Sequence, residues 1–218
     1  MTAAFDLVIF DWDGTLYDSV HQIVESLQWA ARQHEVDLAA DAAKNIIGLG
    51  LPEAMQALFP QHTGLHAPIQ AAYSQHYVAH SHTQGWFAGV DELLDGLAQC
   101  QVQCAVATGK SRAGLNRVLA KTGSAARFAV TRCASETLSK PDPLMLQQIL
   151  QETGVPAARA VMVGDTTYDM EMAARIGMPR IGVSYGVHSR TQLQAFQPLH
   201  VVQSIAELHA VLLAEQTD

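Results

Sequence analysis

A doubly wound parallel α/β sheet, interrupted straight after its first strand by a helical insertion, is the fold class this sequence predicts. Three observations carry it. Residues 7–10, Leu-Val-Ile-Phe, are an unbroken apolar run with β-branched members, the pattern of a strand buried on both faces, and the run stops at Asp11-Trp12-Asp13-Gly14. From Ser19 to about His82 strand character almost vanishes. From Gly85 onward strand runs alternate with helical patterns, and alternating βα units make a parallel sheet with helices on both faces. An insertion so close to the first strand sits over the carboxyl edge of the sheet as a lid. The expected organisation is therefore an α/β core of residues 1–17 and 84–218 and a helical cap of residues 18–83.

The elements follow from local pattern. Val20, Ile23, Val24, Leu27 and Ala31 recur at helical spacing and form one stripe, which predicts the first helix of the insertion. Further helices are expected over 41–47, 52–58 and 68–80, punctuated by Gly48, Gly50, Pro60 and Gly64. Beyond Gly85 a helix over 91–99 precedes a strand over 102–107, and a helix over 113–121, a weaker strand over 128–131 and a helix over 144–153 come next. A strand over 160–163, a helix over 168–175, short strands over 180–183 and 200–202 and a last helix over 205–214 complete the pattern, with no internal repeat and no low-complexity tract.

The 218 residues suffice for one good-sized domain carrying a smaller inserted one, and 49% of them are hydrophobic, enough for a sizeable core. A net charge of −8 with no basic run argues against nucleic acid or an anionic membrane surface as partner. Cys100, Cys104 and Cys133 are odd in number and show no metal-ligand spacing, so they read as reduced, mostly buried thiols. The N-terminus shows no basic region followed by an apolar one, and no apolar run reaches the roughly 18 to 20 residues a membrane-spanning helix needs; the expectation is a soluble, cytoplasmic protein. Monomer and homodimer both remain open.

Chemistry is placed at the strand ends. In open α/β sheets ligands bind outside the carboxyl ends of the strands, where loops converge over a rigid floor. Asp11 and Asp13 are two apart in extended chain, so both carboxylates face one pocket, and Gly14 permits a tight turn away. Taken alone, such a run serves a turn as readily as a reaction. A second acidic strand end, Val161-Met162-Val163-Gly164-Asp165-Thr166-Thr167-Tyr168-Asp169, weighs against the plain turn, although Asp165 or Thr166 could also cap the helix that follows. If the two ends converge, each pair of carboxylates about 4 Å apart repels by roughly 4 kcal/mol at an effective dielectric of about 20, so a cation is required. All-oxygen, acid-rich ligation without an adjacent Cys or His favours Mg²⁺. The strand ending Thr108-Gly109-Lys110 offers a hydroxyl and backbone N–H groups to an anion, and Ser139-Lys140-Pro141-Asp142-Pro143 sets Lys140 in a stiffened loop before a helix.

Carboxylate pair, Thr, Lys and acidic pair, in that order and spacing, closely resemble the haloacid dehalogenase superfamily of phosphohydrolases over essentially the whole chain, with the insertion resembling its α-helical cap on a Rossmann-like core. Leu16-Tyr17-Asp18-Ser19, Gly48-Leu49-Gly50-Leu51, Phe87-Ala88-Gly89-Val90 and Lys140-Pro141-Asp142-Pro143 look most like phosphoglycolate phosphatases and their relatives. The resemblance implies Mg²⁺-dependent hydrolysis of a small phosphate monoester through an aspartyl-phosphate. It makes Asp11 the nucleophile and Asp13 the acid that protonates the leaving alkoxide, then the base for the hydrolytic water, with its backbone carbonyl on the metal. Thr108, the Gly109 N–H and Lys140 would bind and screen the phosphoryl oxygens; Asp165 would ligate the metal directly, and Asp169 directly or through water. The roles agree with charge, since an anionic carboxylate attacks an anionic ester only where positive groups screen both.

The same residues separate the superfamily's other chemistries. Asp13 argues against dehalogenation, which has no alkoxide to protonate, and Lys44, the lone lysine of the insertion, reads as a surface residue rather than the Schiff base of phosphonate cleavage. Sugar-phosphate mutases of the β-phosphoglucomutase type usually carry a cap-loop arginine where this chain has Gly50-Leu51-Pro52, which makes a mutase the second reading; a phosphate-ligand sensor without catalysis is the third. The cap histidines His62, His66, His76, His80 and His82 read as a solvated face, Trp12 and Tyr17 as packing, and the short uncharged loop at Gly48 to Leu51 as suited to a small substrate.

Overall fold

The computed structural model describes residues 4–213, and its sheet is the one the alternating pattern implies. Six strands, β1 (Leu7–Phe10), β2 (Gln103–Thr108), β3 (Val130–Cys133), β4 (Ala160–Gly164), β5 (Arg180–Val183) and β6 (His200–Val202), pair in the order β3-β2-β1-β4-β5-β6, all parallel. The chain builds outward from β1 to β3 on one side, then returns to lay β4 against β1 on the other. The order therefore reverses between β1 and β4, the kind of switch point where a crevice opens at the carboxyl ends of the strands.

Alternation along β1 explains why a four-residue run can be wholly apolar. Val8 and Phe10 face one layer, with Leu93, Leu94 and Leu97 of α5 (Val90–Gln99), Leu115 and Val118 of α6 (Arg112–Thr122) and Leu208 of α10 (Ile205–Leu213). Leu7 and Ile9 face the other, with Met145, Leu146 and Ile149 of α7 (Leu144–Thr153) and Met172 and Ala173 of α8 (Thr167–Ala174). Both faces are covered, so the central strands carry no polar alternation.

Between β1 and α5 the chain forms α1 (Val20–Arg32), α2 (Ala40–Asn45), α3 (Leu51–Leu58) and α4 (His66–His80), the helices expected there. They enclose a cluster of their own, with Leu27, Met55, Phe59 and Ile69 fully buried. It meets the α/β part through a few polar ties. Gly50 N donates to Ser139 Oγ at 2.7 Å, Tyr168 Oη donates to the Asn45 carbonyl at 2.9 Å, and Lys121 Nζ donates to the carbonyls of Ser81, His82 and Gln84 at 2.8, 3.0 and 2.7 Å.

Two differences from the sequence reading have physical causes. The third strand starts at Val130 rather than Phe128, because the Phe128 ring turns into the first layer against Trp12, 5.9 Å between centroids, before pairing with β2 begins. A short helix, α9 (Arg190–Gln194), was not expected; it is started by a reciprocal cap in which Ser189 and Gln192 satisfy each other's backbone N–H groups, and its Leu193 fills a small cluster with Met170 and Val201. The expected end of the last helix, Ala214, lies outside the described residues.

Candidate active site

The register of the sheet brings the two acidic strand ends together. Phe10 pairs with Val163, Asp11 N donates to the Val163 carbonyl at 2.9 Å, and the next residues of both strands, Asp11 and Asp165, flank the switch point. Trp12 alternates to the opposite side and is fully buried among Tyr17, Trp86 and Phe128, with its ring 5.0 Å from that of Trp86. That anchoring turns Asp11 and Asp13 to the same side, where both line one cavity. Gly14 makes the turn away with φ +78°, and a Cβ there would lie 2.2 Å from Asp165 Oδ2, so the approach of the loop to the second carboxylate demands glycine.

Asp11, Asp165 and Asp169 are all buried, and each offers a carboxylate oxygen within 4.8 Å of the others. Lys140, itself buried, bridges two of them: its Nζ lies 2.8 Å from Asp11 Oδ1 and 2.7 Å from Asp169 Oδ1. Asp165 is held from both sides, accepting from Thr15 Oγ1 at 2.9 Å and from Val187 N at 2.8 Å. Asp169 does double duty. Its Oδ2 accepts from Thr166 N and Oγ1 at 3.1 and 2.6 Å while Thr166 Oγ1 accepts from Asp169 N, so the helix-capping reading of this turn also holds, for Thr166 and Asp169 though not for Asp165.

The charge within this cluster does not balance. Three buried carboxylates face one ammonium, so that with all three ionised two negative charges are left uncompensated. Burial, opposed by Lys140 and aided by Asp169 and Asp13, pushes the Asp11 carboxyl up to about 7. Burial and then the neighbouring Asp11 and Asp169 raise Asp165 well above the usual carboxylate range. Burial works against the Lys140 charge, yet Asp11 and Asp169 outweigh it and hold the ammonium up. Among the described residues, the buried Asp11 Oδ2 has no hydrogen-bond partner. All-oxygen donors, a two-charge deficit and an orphaned oxygen fit one divalent cation of the Mg²⁺ kind.

Asp13 stands apart from the cluster. Its Oδ1 accepts from Ser19 Oγ at 2.5 Å and lies 2.9 Å from Lys110 Nζ. Burial disfavours the Lys110 charge, and Asp13 together with Tyr77 and Tyr73 more than compensates. Thr108 is the buried last residue of β2, its Oγ1 accepting from Lys110 N at 3.2 Å, and Gly109 is pressed against the insertion: a Cβ there would sit 2.4 and 2.6 Å from the Leu49 and Gly48 carbonyls. The structure thus brings Asp11, Asp13, Thr108, Gly109, Lys140, Asp165 and Asp169 to one sheet edge. Sequence reasoning passed over Lys110, Ser19 and Thr15. A cation two residues past a strand-end threonine was a usable signal for Lys110; the two hydroxyls carried none.

Among the features set aside earlier, Trp12 and Tyr17 are packing, both fully buried. His76 departs from the solvated face. It is half-buried, stacks on Trp29 at 4.6 Å and shares a 3.0 Å hydrogen bond with Ser26 Oγ, while His80 stacks on it from the exposed side.

These features define a class: an α/β enzyme with a helical insertion over an acidic, cation-demanding strand-end site. A haloacid dehalogenase-like hydrolase family model matches residues 8–183, and the chain belongs to that family. It is 33% identical over 218 aligned residues to a Dickeya dadantii protein named "Probable phosphatase IndB", covering 94% of each, and 28% identical over 214 to the phosphoglycolate phosphatase of Agrobacterium fabrum, covering 94% of this chain and 91% of that one. A crystal structure of a predicted phosphatase from Clostridium acetobutylicum superimposes with a TM-score of 0.86 at 23% identity, covering 97% of this chain and 99% of that one. Among the described residues no helix is long and apolar enough to cross a membrane.

Two outcomes follow from the charge deficit. Because Asp11 and Asp165 sit above their unfolded values, the metal-free protein is most stable where they stay protonated: the Asp11 contribution is lost as pH rises from about 4 through about 7, and that of Asp165 is lost in the same direction. Added Mg²⁺ is therefore expected to raise the melting temperature more at about pH 8 than at about pH 5; equal shifts by differential scanning fluorimetry would contradict the deficit. Gly14→Ala places a methyl on Asp165 in a left-handed conformation and is expected to destabilise by at least about 1 kcal/mol. Chemical denaturation measures it, and the Mg²⁺-induced gain in stability should shrink in the same variant.

Proposed function

We propose that this chain is a Mg²⁺-dependent phosphatase that hydrolyses a small-molecule phosphate monoester through phosphorylated Asp11, with residues 18–83 as its cap over a core of 1–17 and 84–218. The observation that carries the reading is the orphaned Asp11 Oδ2 beside an uncompensated charge at the switch point. A buried carboxylate oxygen without a donor costs free energy unless a ligand meets it, and a nucleophile must keep a lone pair free. Relatives named as phosphatases support the same reaction, and phosphoglycolate, named for one of them, is the reference substrate.

In the first half-reaction Asp11 Oδ2 attacks phosphorus, the bond from phosphorus to the ester oxygen breaks, and the leaving alkoxide takes a proton from Asp13. In the second, a water attacks the phosphorus of the acyl phosphate, Asp13 takes back a proton, and the bond to Asp11 breaks to release inorganic phosphate. Ser19 and Lys110 orient Asp13 for both transfers. Thr108 and the Gly109 N–H bind phosphoryl oxygens, and Lys140 screens the approach while holding Asp11 in position. Asp11, the Asp13 carbonyl and Asp165 would hold the cation, with Asp169 doing so directly or through water, and the ion would neutralise charge shared by the nucleophile and the phosphoryl group. The mutase reading has less support, because among the described residues the insertion brings no cation to the cavity wall. We place the enzyme in the cytoplasm, as a monomer or homodimer, with neither nucleic acid nor membrane as partner.

Asp11→Asn is expected to abolish release of phosphate from p-nitrophenyl phosphate, and chelator to do so reversibly. Lys140→Met should lower kcat by at least about 10²-fold, since it strips the screening from a buried attack by one anion on another. Metal-independent turnover, or an active Asp11→Asn enzyme, would refute the mechanism.

A further inference from the structure

The cavity that holds Asp11 and Asp13 extends well beyond them. Its volume is about 460 Å³, within the range of about 300 to 1,000 Å³ found for sites that enclose whole ring-bearing ligands. A two-carbon acid would leave most of it to water. The cavity therefore has room for a larger leaving group than a two-carbon acid, still within the small-molecule range.

The chemistry of the wall points the same way. The insertion contributes Ile23, Leu27, Leu49 and Leu51 as apolar surface and Tyr73 and Tyr77 as aromatic surface. The two tyrosines are four apart on α4, so they share one helix face, with centroids 5.8 Å apart and planes tilted by 32°. Tyr77 is buried beside Lys110, whose ammonium lies 5.2 Å from its ring centre, and among the described residues its hydroxyl meets no other partner. Such a hydroxyl is a hydrogen-bonding group awaiting a ligand.

Charge completes the argument. A leaving group bearing a carboxylate needs a cation on the wall that faces it, and among the described residues the one acidic or basic side chain the insertion supplies there is the carboxylate of Glu53. From the core, Lys110 is already committed to Asp13, and Arg117 of α6 also lines the cavity, exposed like Glu53, so the two exposed ionic side chains of the wall are of opposite sign. Flat apolar and aromatic surface with a lone hydroxyl suits a ring with a polar edge.

We propose that the pocket takes phosphate monoesters of uncharged, ring-bearing alcohols, the ring lying against Tyr73 and Tyr77 and opposite the Leu49 loop, in preference to short carboxylate-bearing esters. The proposal rests on the phosphatase reading above and names its leaving group.

The test compares kcat/KM, with Mg²⁺ present, for adenosine 5′-monophosphate, uridine 5′-monophosphate and riboflavin 5′-phosphate against glycerol 1-phosphate and phosphoglycolate, all esters of alkyl alcohols of similar intrinsic reactivity. At least one ring-bearing ester is expected to exceed both small esters by about tenfold or more. Tyr73→Leu should lower that preference about tenfold, chiefly through KM, whereas Tyr73→Phe, which keeps the flat face, should retain it. Glu53→Lys should raise turnover of phosphoglycolate about tenfold by giving its carboxylate a partner. Small esters turned over as well as every ring-bearing one, or a preference indifferent to Tyr73→Leu, would overturn the inference and leave the phosphatase reading standing. No hydrolysis of any ester would remove both.

Discussion

The charge deficit at the junction of β1 and β4 is the constraint on which the rest of this structure depends. Three buried carboxylates share one ammonium, and the lysine cannot satisfy them all: it spans Asp11 and Asp169, while Asp165 relies on the Thr15 hydroxyl and the Val187 N–H. In a purely structural site this arrangement would be selected against, since unpaired buried charge is among the most destabilising features a fold can carry. A site that spends part of its cycle with a divalent cation and a phosphoryl group has a different balance. The two uncompensated charges then attract what the chemistry requires, and the strain belongs to the metal-free protein alone.

The fold contributes rigidity at the places where that tension is highest. Strand β1 is central, paired on both sides, and its end residues are fixed by register rather than by loop conformation. Trp12, wedged between two carboxylates in sequence, packs its ring away from both and so serves as the bolt that keeps them pointing outward. After the neighbouring strand, Asp169 is tied into the first turn of α8, which couples a member of the acidic cluster to a helix start. Capping and the ion pair use the same carboxylate without competing for the same oxygen, because Oδ2 faces Thr166 and Oδ1 faces Lys140.

Much of this was legible in the sequence, for a physical reason. Buried parallel strands are conspicuous as apolar runs, and the residue at which such a run stops is fixed within one or two positions, so Asp11, Asp13, Thr108 and Asp165 could be placed at one sheet edge before any coordinates. Lys140 was legible only through its company, since nothing local distinguishes a buried lysine from a solvated one. Lys110, Ser19 and Thr15 were not read, because their roles arise from side chains meeting across the fold, Thr15 and Asp165 being 150 residues apart. The start of β3 was misplaced for a similar reason: Phe128 has strand propensity, and tertiary packing against Trp12 claims it first. Cavity size was the least legible quantity, for it depends on how far α4 stands from the sheet.

The chain carries two kinds of information. The core edge is charged, closely hydrogen-bonded and intolerant of displacement, as a reaction demanding fixed distances requires. The wall from the insertion is apolar and aromatic, tied to the core by a few polar contacts such as Gly50 to Ser139 and Tyr168 to Asn45. Apolar surface is non-directional, so its residues can be exchanged for others of similar volume without disturbing the carboxylates beneath. Gly109 marks where the two meet, with the Gly48 and Leu49 carbonyls too close to admit a side chain. At that seam, a shift of the insertion acts directly on the backbone beside Thr108. The charged edge and the apolar wall are therefore built from different residues but share one contact surface, so the placement of the insertion acts on the backbone that carries the strand-end side chains.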